Sequence, residues 1–107
     1  MRTHQELEAR SLAMHRLIAE RLRRDPALLA RVRATLVRWL PQVSERARPA
    51  LEHWLAVVDR GIEPTVELAT EDSERGATLR QSSPFVGILT PRERFEFLRE
   101  WKARHAA

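Results

Sequence analysis

Arginine and histidine recur at short spacing in this chain, and such pairs could act together on a phosphodiester. Three pairs are separated by four or five residues: Arg48 with His53, Arg10 with His15, and Arg99 with His105. A guanidinium can stabilise an oxyanion while an imidazole moves a proton, which is what cleavage of RNA requires. Arg48 and His53 are the best candidates because they fall at a turn and in the early part of a predicted helix.

The spacing of Arg48 and His53 resembles the R-x4-6-H motif of the all-helical HEPN ribonucleases. That resemblance implies an RNA-cleaving enzyme with these two residues in catalysis. Pro49 stands where the family often has a polar residue, and a chain with four His and so many Arg forms such pairs by chance. We therefore keep RNA cleavage as the alternative function.

Other chemistry finds little support in the sequence. His4 and Glu8 are four residues apart and His15 lies further along, but a closed metal site needs three or four ligands. The chain has no cysteine, no Gly-rich phosphate loop and no Gly-x-Ser-x-Gly motif. We expect no metal and no cofactor, and we favour a non-enzymatic protein over an enzyme.

The phrase LTPRER, residues 89–94, resembles the opening of LuxR-type DNA-binding helix-turn-helix domains. In that family a second helix must follow, because the second helix enters the major groove. Here about a dozen residues follow the phrase. We interpret it instead as a helix start, with Thr90 at the N-cap, Pro91 at the first position and Glu93 three residues after the cap.

Apolar periodicity predicts an all-α fold of five or six amphipathic helices in one domain, residues 1–107, beginning with an antiparallel helical hairpin. Predicted helices run from the Thr3 cap to Arg24, from Asp25-Pro26 to about Pro41, from Pro49 to Gly61, from Glu63-Pro64 to about Glu71, from Asp72 or Ser73 to about Gln81, and from Thr90 onward. In the last helix Phe95, Leu98 and Trp101, with Phe97 as a further candidate, are predicted to line the core. Gly76, inside the fifth, is expected to cost about 1 kcal/mol relative to Ala.

Composition is that of a globular protein, with 43% hydrophobic and 32% charged residues. The longest apolar runs have four residues, too few to span a membrane, and no leader pattern precedes the first helix. We expect a cytoplasmic protein with no membrane partner. The net charge of +4 is concentrated in residues 1–60, where twelve Arg face seven acids.

Positive charge and large apolar side chains suggest where a partner would bind. Arginines of the first two helices form one candidate surface, Trp39 at a helix end is an anchor, and the Ser/Pro-rich segment before Thr90 presents further apolar residues. The predicted partner-binding residues are Arg21, Arg23, Arg24, Arg31, Arg38, Trp39, Phe85, Val86 and Ile88. The arginines alone would support nonspecific nucleic-acid binding, a weaker alternative.

Two stretches, ELEARSLAMHRLIAERLRRDPALL and TEDSERGATLRQSSPFVGILTPRERFEFL, resemble small uncharacterised bacterial all-helical proteins with an antitoxin-like role. The resemblance implies that the partner is another protein, such as a cognate toxin. Assembly of the chain into a homo-oligomer is a further alternative. We therefore predict a non-enzymatic helical interaction module, in which the Arg-rich edges and the turn at residues 82–89 occlude an acidic or phosphate-binding cleft of the partner.

Overall fold

In a computed structural model of the chain, which describes residues 3–106, the protein is all-helical, and those residues contain no strand. This confirms the predicted all-α class, and the antiparallel hairpin of the first two helices stays a prediction. The six helices are α1 (His4–Arg24), α2 (Leu28–Trp39), α3 (Arg48–Val58), α4 (Ile62–Ala69), α5 (Glu74–Arg80) and α6 (Pro91–Arg104). Residues 1, 2 and 107 of the predicted domain lie outside the described part.

Helices α1 and α6 begin directly after a residue whose side chain caps them. The Thr3 hydroxyl accepts from the amide of Glu6, and the Glu6 carboxylate accepts from the amide of Thr3, both at 3.1 Å. Thr90 and Glu93 form the same reciprocal pair at the start of α6. Each pair satisfies two amides that a helix end otherwise leaves without partners. Both sequence-based starts are therefore confirmed.

The start of α2 is later than predicted. Asp25 ends α1 and does not cap α2, since its amide donates to the carbonyl of Arg21 and its carbonyl accepts from Leu28. Pro26 and Ala27 form a turn, and α2 begins at Leu28. The Asp-Pro signal marks the turn correctly but places the helix two residues early.

The core lies where α1, α3 and α4 meet, with α2 packed mainly on α3 and α5 on α1 and α4. Its largest fully buried side chain is Trp54, whose indole nitrogen donates to the carbonyl of Leu79 at 2.9 Å. Phe85 packs edge-on against Trp54, with ring centroids 5.3 Å apart. The segment between α5 and α6 therefore contributes directly to the core.

Gly76 in α5 has a packing role that helix propensity does not reveal. A Cβ at this position would lie 2.2 Å from the carbonyl oxygen of Glu71. The chain before α5 passes so close to the helix that no larger residue fits without movement.

The last helix departs from prediction. Phe95, Leu98 and Trp101 were expected to line the core, but no residue of α6 is buried, and none belongs to the core cluster or to the side chains packed against it. Phe95 is 65% exposed. The molecule measures 41 × 31 × 23 Å, and α6 lies on the outside of the bundle.

Candidate functional site

One side of α6 is acidic and lines a groove against α1. Spacings of three and four residues place Glu93, Glu96 and Glu100 on one helical face. These residues line a groove of about 440 Å³ between the two helices. The groove is completed by Phe97 and Arg104 from α6 and by Ala13, Arg16, Leu17 and Glu20 from α1. The groove thus has both acidic and basic side chains along its walls.

Glu93 connects the start of α6 to the end of α1. Hydrogen bonds from Thr90 hold the pKa of Glu93 below its ordinary value, and the positive charges of Arg21 and Arg24 lower it further. A carboxylate in the first turn also interacts favourably with the helix dipole. The carboxylate therefore stays ionised at neutral pH and attracts the arginine-rich end of α1.

The opposite side of α6 is apolar and cationic. Around Leu98, the positions three and four residues away in each direction are Arg94, Phe95, Trp101 and Lys102. Arg94, Phe95 and Lys102 are exposed, and Leu98 and Trp101 are half-buried. We call these five residues the α6 face. It combines three large apolar side chains with two cations and contains no acid.

Stacking fixes the aromatic part of this surface. Phe97 and His105, four residues either side of Trp101, stack on it with centroids 6.1 and 3.8 Å away. The guanidinium of Arg99 lies over the ring of Phe95 at 6.0 Å. These contacts restrict the side-chain rotamers of Phe95 and Trp101.

Charges on this side of α6 are not neutralised by the protein. Within residues 3–106, neither Arg94, Arg99 nor Lys102 has a carboxylate at ion-pair distance, whereas Arg92 pairs with Glu96 at 3.1 Å. The surface therefore carries net positive charge next to exposed apolar area.

The predicted arginines of α1 and α2 do not form one free surface. Arg23 pairs with Glu63 at 3.2 Å, and Arg31 donates to the carbonyl of Gly87 at 3.5 Å. Arg21 is half-buried and, with Arg24, acts on Glu93. Arg38 is exposed near the end of α2. Several of these side chains thus make contacts within the protein, and a binding role for the exposed ones stays a prediction.

The predicted apolar anchors separate into buried and exposed residues. Phe85 and Ile88 are 4% and 3% exposed, so the expectation that they form a contact patch is corrected: they fill the core. The sequence suggested a displayed turn because Ser and Pro flank them, but the segment folds inward. Val86 is exposed, and Trp39 is half-buried against the core.

Arg48 and His53 face different parts of the molecule. Arg48 donates to the carbonyl of Leu40 at 3.1 Å, near the end of α2. His53 is exposed and lines clefts with Arg75 of α5. Five residues along a helix correspond to about 140° of rotation. The structure does not bring the two groups together in the way that joint catalysis needs.

A buried polar pair was missed in the sequence. His15 accepts from the hydroxyl of Ser83 through Nε2 at 2.8 Å and donates from Nδ1 to the carbonyl of Ser11 at 2.7 Å. The carbonyl can only accept, which fixes the tautomer. Burial lowers the pKa of His15, so the ring is neutral at neutral pH, and nearby Arg80 lowers it further. The spacing of Ser11, His15 and Ile18 on the buried stripe was the available signal.

Arg80 is the second buried polar residue that the sequence did not reveal. One of its terminal nitrogens donates to the carbonyls of Glu71 at 2.7 Å and Ala69 at 3.3 Å. Ala69 is the last residue of α4, and Glu71 follows shortly after it. A cation is favourable there because the carbonyls at the end of a helix carry partial negative charge. Together, the His15–Ser83 bond and Arg80 attach the segments around α5 to the bundle.

Within residues 3–106, no group of three or more potential ligands is arranged to hold a metal ion, and the His4 imidazole instead meets Glu8 at 2.8 Å. None of the helices in this part of the chain is long and apolar enough to cross a membrane. Comparison of the chain with protein-family models, with curated proteins and with solved structures found no match.

Proposed function

We propose that the protein is a non-enzymatic interaction module that binds another protein through the α6 face. The observation that carries the proposal is that a helix with Phe95, Leu98 and Trp101 on one side buries none of them in the core. Large apolar side chains beside unneutralised cations are the usual composition of an interface anchor, in which aromatic residues and Arg carry most of the binding energy.

The proposal moves the contact from the arginines of α1 and α2 to α6. Arg23 and Arg31 are used in internal contacts, whereas neither Arg94 nor Lys102 has a carboxylate at ion-pair distance within residues 3–106. An antitoxin that neutralises a cognate toxin by covering its surface is one protein of this class. In that case the α6 face lies against the toxin and occludes it.

Site-specific photo-cross-linking in cells that naturally make the protein tests the proposal. A photoreactive amino acid replaces Phe95, and the control places it at Ala56, an exposed position in α3. We expect position 95 to cross-link to one defined protein, and the same product to be absent at position 56. Cross-links to nucleic acid or lipid alone, equal products at both positions, or no protein product at position 95 contradict the proposal.

Charge reversal at the α6 face sharpens this test. Arg94→Glu with Lys102→Glu removes the cations without touching Phe95, and Arg46→Glu with Arg60→Glu makes the same change in net charge at exposed positions elsewhere. The cross-link from position 95 should be lost in the first background and kept in the second.

A further inference from the structure

We infer that the segment bound by the α6 face is an acidic amphipathic helix of the partner; this inference rests on the proposed function. The first argument is charge. All three glutamates of α6 that line the groove lie on the α1 side, and the positions around Leu98 carry only positive or apolar side chains. A partner segment meets complementary charge only if it is acidic where it flanks its apolar contacts.

The second argument is shape. The α6 helix has 14 residues, which corresponds to about 21 Å of helix. Phe95, Leu98 and Trp101 lie at positions i, i+3 and i+6, which form one of the oblique ridges that cross a helix surface. Such a ridge fits into the groove between the side-chain rows of another helix, which supports a helical partner segment.

A nucleic acid fits this surface less well. Binding of single strands relies on bases stacking on free aromatic faces. Trp101 already stacks with Phe97 and His105, and Arg99 lies over Phe95. The positive charges would attract phosphates, but Trp101 already stacks with two other rings, and Phe95 is the one strongly exposed aromatic ring of the α6 face.

A membrane surface also fits less well. An interfacial helix inserts its whole apolar face into the acyl boundary. Here only Phe95 is strongly exposed, while Leu98 and Trp101 are half-buried. A helix of another protein can reach partly buried side chains by inserting its own between them, which a bilayer interior does not do.

Binding titrations with synthetic probes test the inference. The probe is a fluorescent 16-residue helical peptide with Leu on one face and Glu on both flanks, and its matched counterpart has Lys in place of every Glu. We expect the acidic peptide to bind at micromolar concentration and the basic one at least tenfold more weakly. Arg94→Glu with Lys102→Glu should weaken binding of the acidic peptide at least tenfold, while Arg46→Glu with Arg60→Glu should change it less than twofold.

The same variants are titrated with a 20-nucleotide single-stranded DNA and with vesicles containing phosphatidylserine. Tighter binding of either probe than of the acidic peptide, with dependence on Arg94 and Lys102, overturns the inference. So does no binding of the acidic peptide, or equal effects of the two charge-reversal pairs.

The cross-link from position 95 separates failure of the inference from failure of the proposed function. Mass spectrometry of that product identifies the contacted segment of the partner. An acidic segment with helical apolar periodicity supports the inference. A basic segment, or one in a strand, overturns it while the protein-binding function stands.

Discussion

Replacing Gly76 by Ala should destabilise the protein, although helix propensity alone predicts the reverse. Ala is favoured over Gly inside a helix by about 1 kcal/mol. At this position, however, the new Cβ would meet the Glu71 carbonyl oxygen at 2.2 Å, where ordinary contact begins at 3.4 Å. The backbone must therefore separate by about 1.2 Å, the difference between these two distances.

The size of the destabilisation depends on which atom the new Cβ meets, here the carbonyl oxygen of Glu71. Overpacking costs about 1–3 kcal/mol, and a backbone carbonyl places this case at the upper end because it cannot rotate away as a side chain can. That carbonyl also accepts from Arg80 at 2.7 Å, so its displacement weakens a charged hydrogen bond. After subtraction of the propensity gain, we expect a net loss of about 2 kcal/mol.

Urea denaturation followed by circular dichroism measures this loss for Gly76→Ala. Thr78→Ala, at an exposed position of the same helix, is the control and should be neutral or stabilising. A Gly76→Ala protein as stable as the parent, or more stable, would refute the close approach of residue 71 to α5.

Three further predictions concern titration and capping. Burial lowers the pKa of His15, so the unfolded state binds the proton more readily than the folded state. The free energy of unfolding should therefore fall as the pH drops below 6.5. In a His15→Gln variant, the urea midpoint should lose most of this dependence on pH. Hydrogen bonds from Arg75 and a neighbouring hydroxyl lower the pKa of Glu71 to about 2, so its carboxyl NMR signal should titrate near that pH. In Arg75→Met the pKa of Glu71 should rise. The stabilising contribution of Glu71 should disappear as the pH falls from 4.5 toward 2. Thr90→Ala should remove about 1 kcal/mol of local stability from α6, which would be seen as faster amide hydrogen exchange in that helix. The control Thr3→Ala should speed exchange only at the start of α1. Unchanged exchange in α6 would contradict the capping role of Thr90.

Much of the helical architecture is readable from the sequence because its signals are local. Thr3 with Glu6, and Thr90 with Glu93, satisfy amides within one turn, so the residues that specify each start are adjacent to it. The Asp25 signal was misplaced because Asp-Pro also suits a turn, and here Asp25 ends α1 instead of capping α2.

The candidate binding surface was harder to predict because periodicity shows which side of a helix is apolar, but not what covers it. In α6 the apolar residues were assigned to the core, whereas the structure leaves them outside the core cluster and lines the groove against α1 with glutamates. Conversely, the turn with Phe85 was read as exposed, although its packing on Trp54 joins residues far apart in the chain. The His15–Ser83 bond spans 68 positions and is likewise invisible to local pattern.

The free energy of unfolding of Phe95→Ala, compared with that of Phe85→Ala, tests the central claim that α6 presents a surface which the fold itself does not need. The substitutions are chemically identical, but Phe95 is 65% exposed and Phe85 is 4% exposed. We predict a loss within about 0.5 kcal/mol for Phe95→Ala and of about 3–5 kcal/mol for Phe85→Ala. A loss of about 2 kcal/mol or more for Phe95→Ala would show that its ring supports the fold, and would contradict the assignment of the α6 face to a partner.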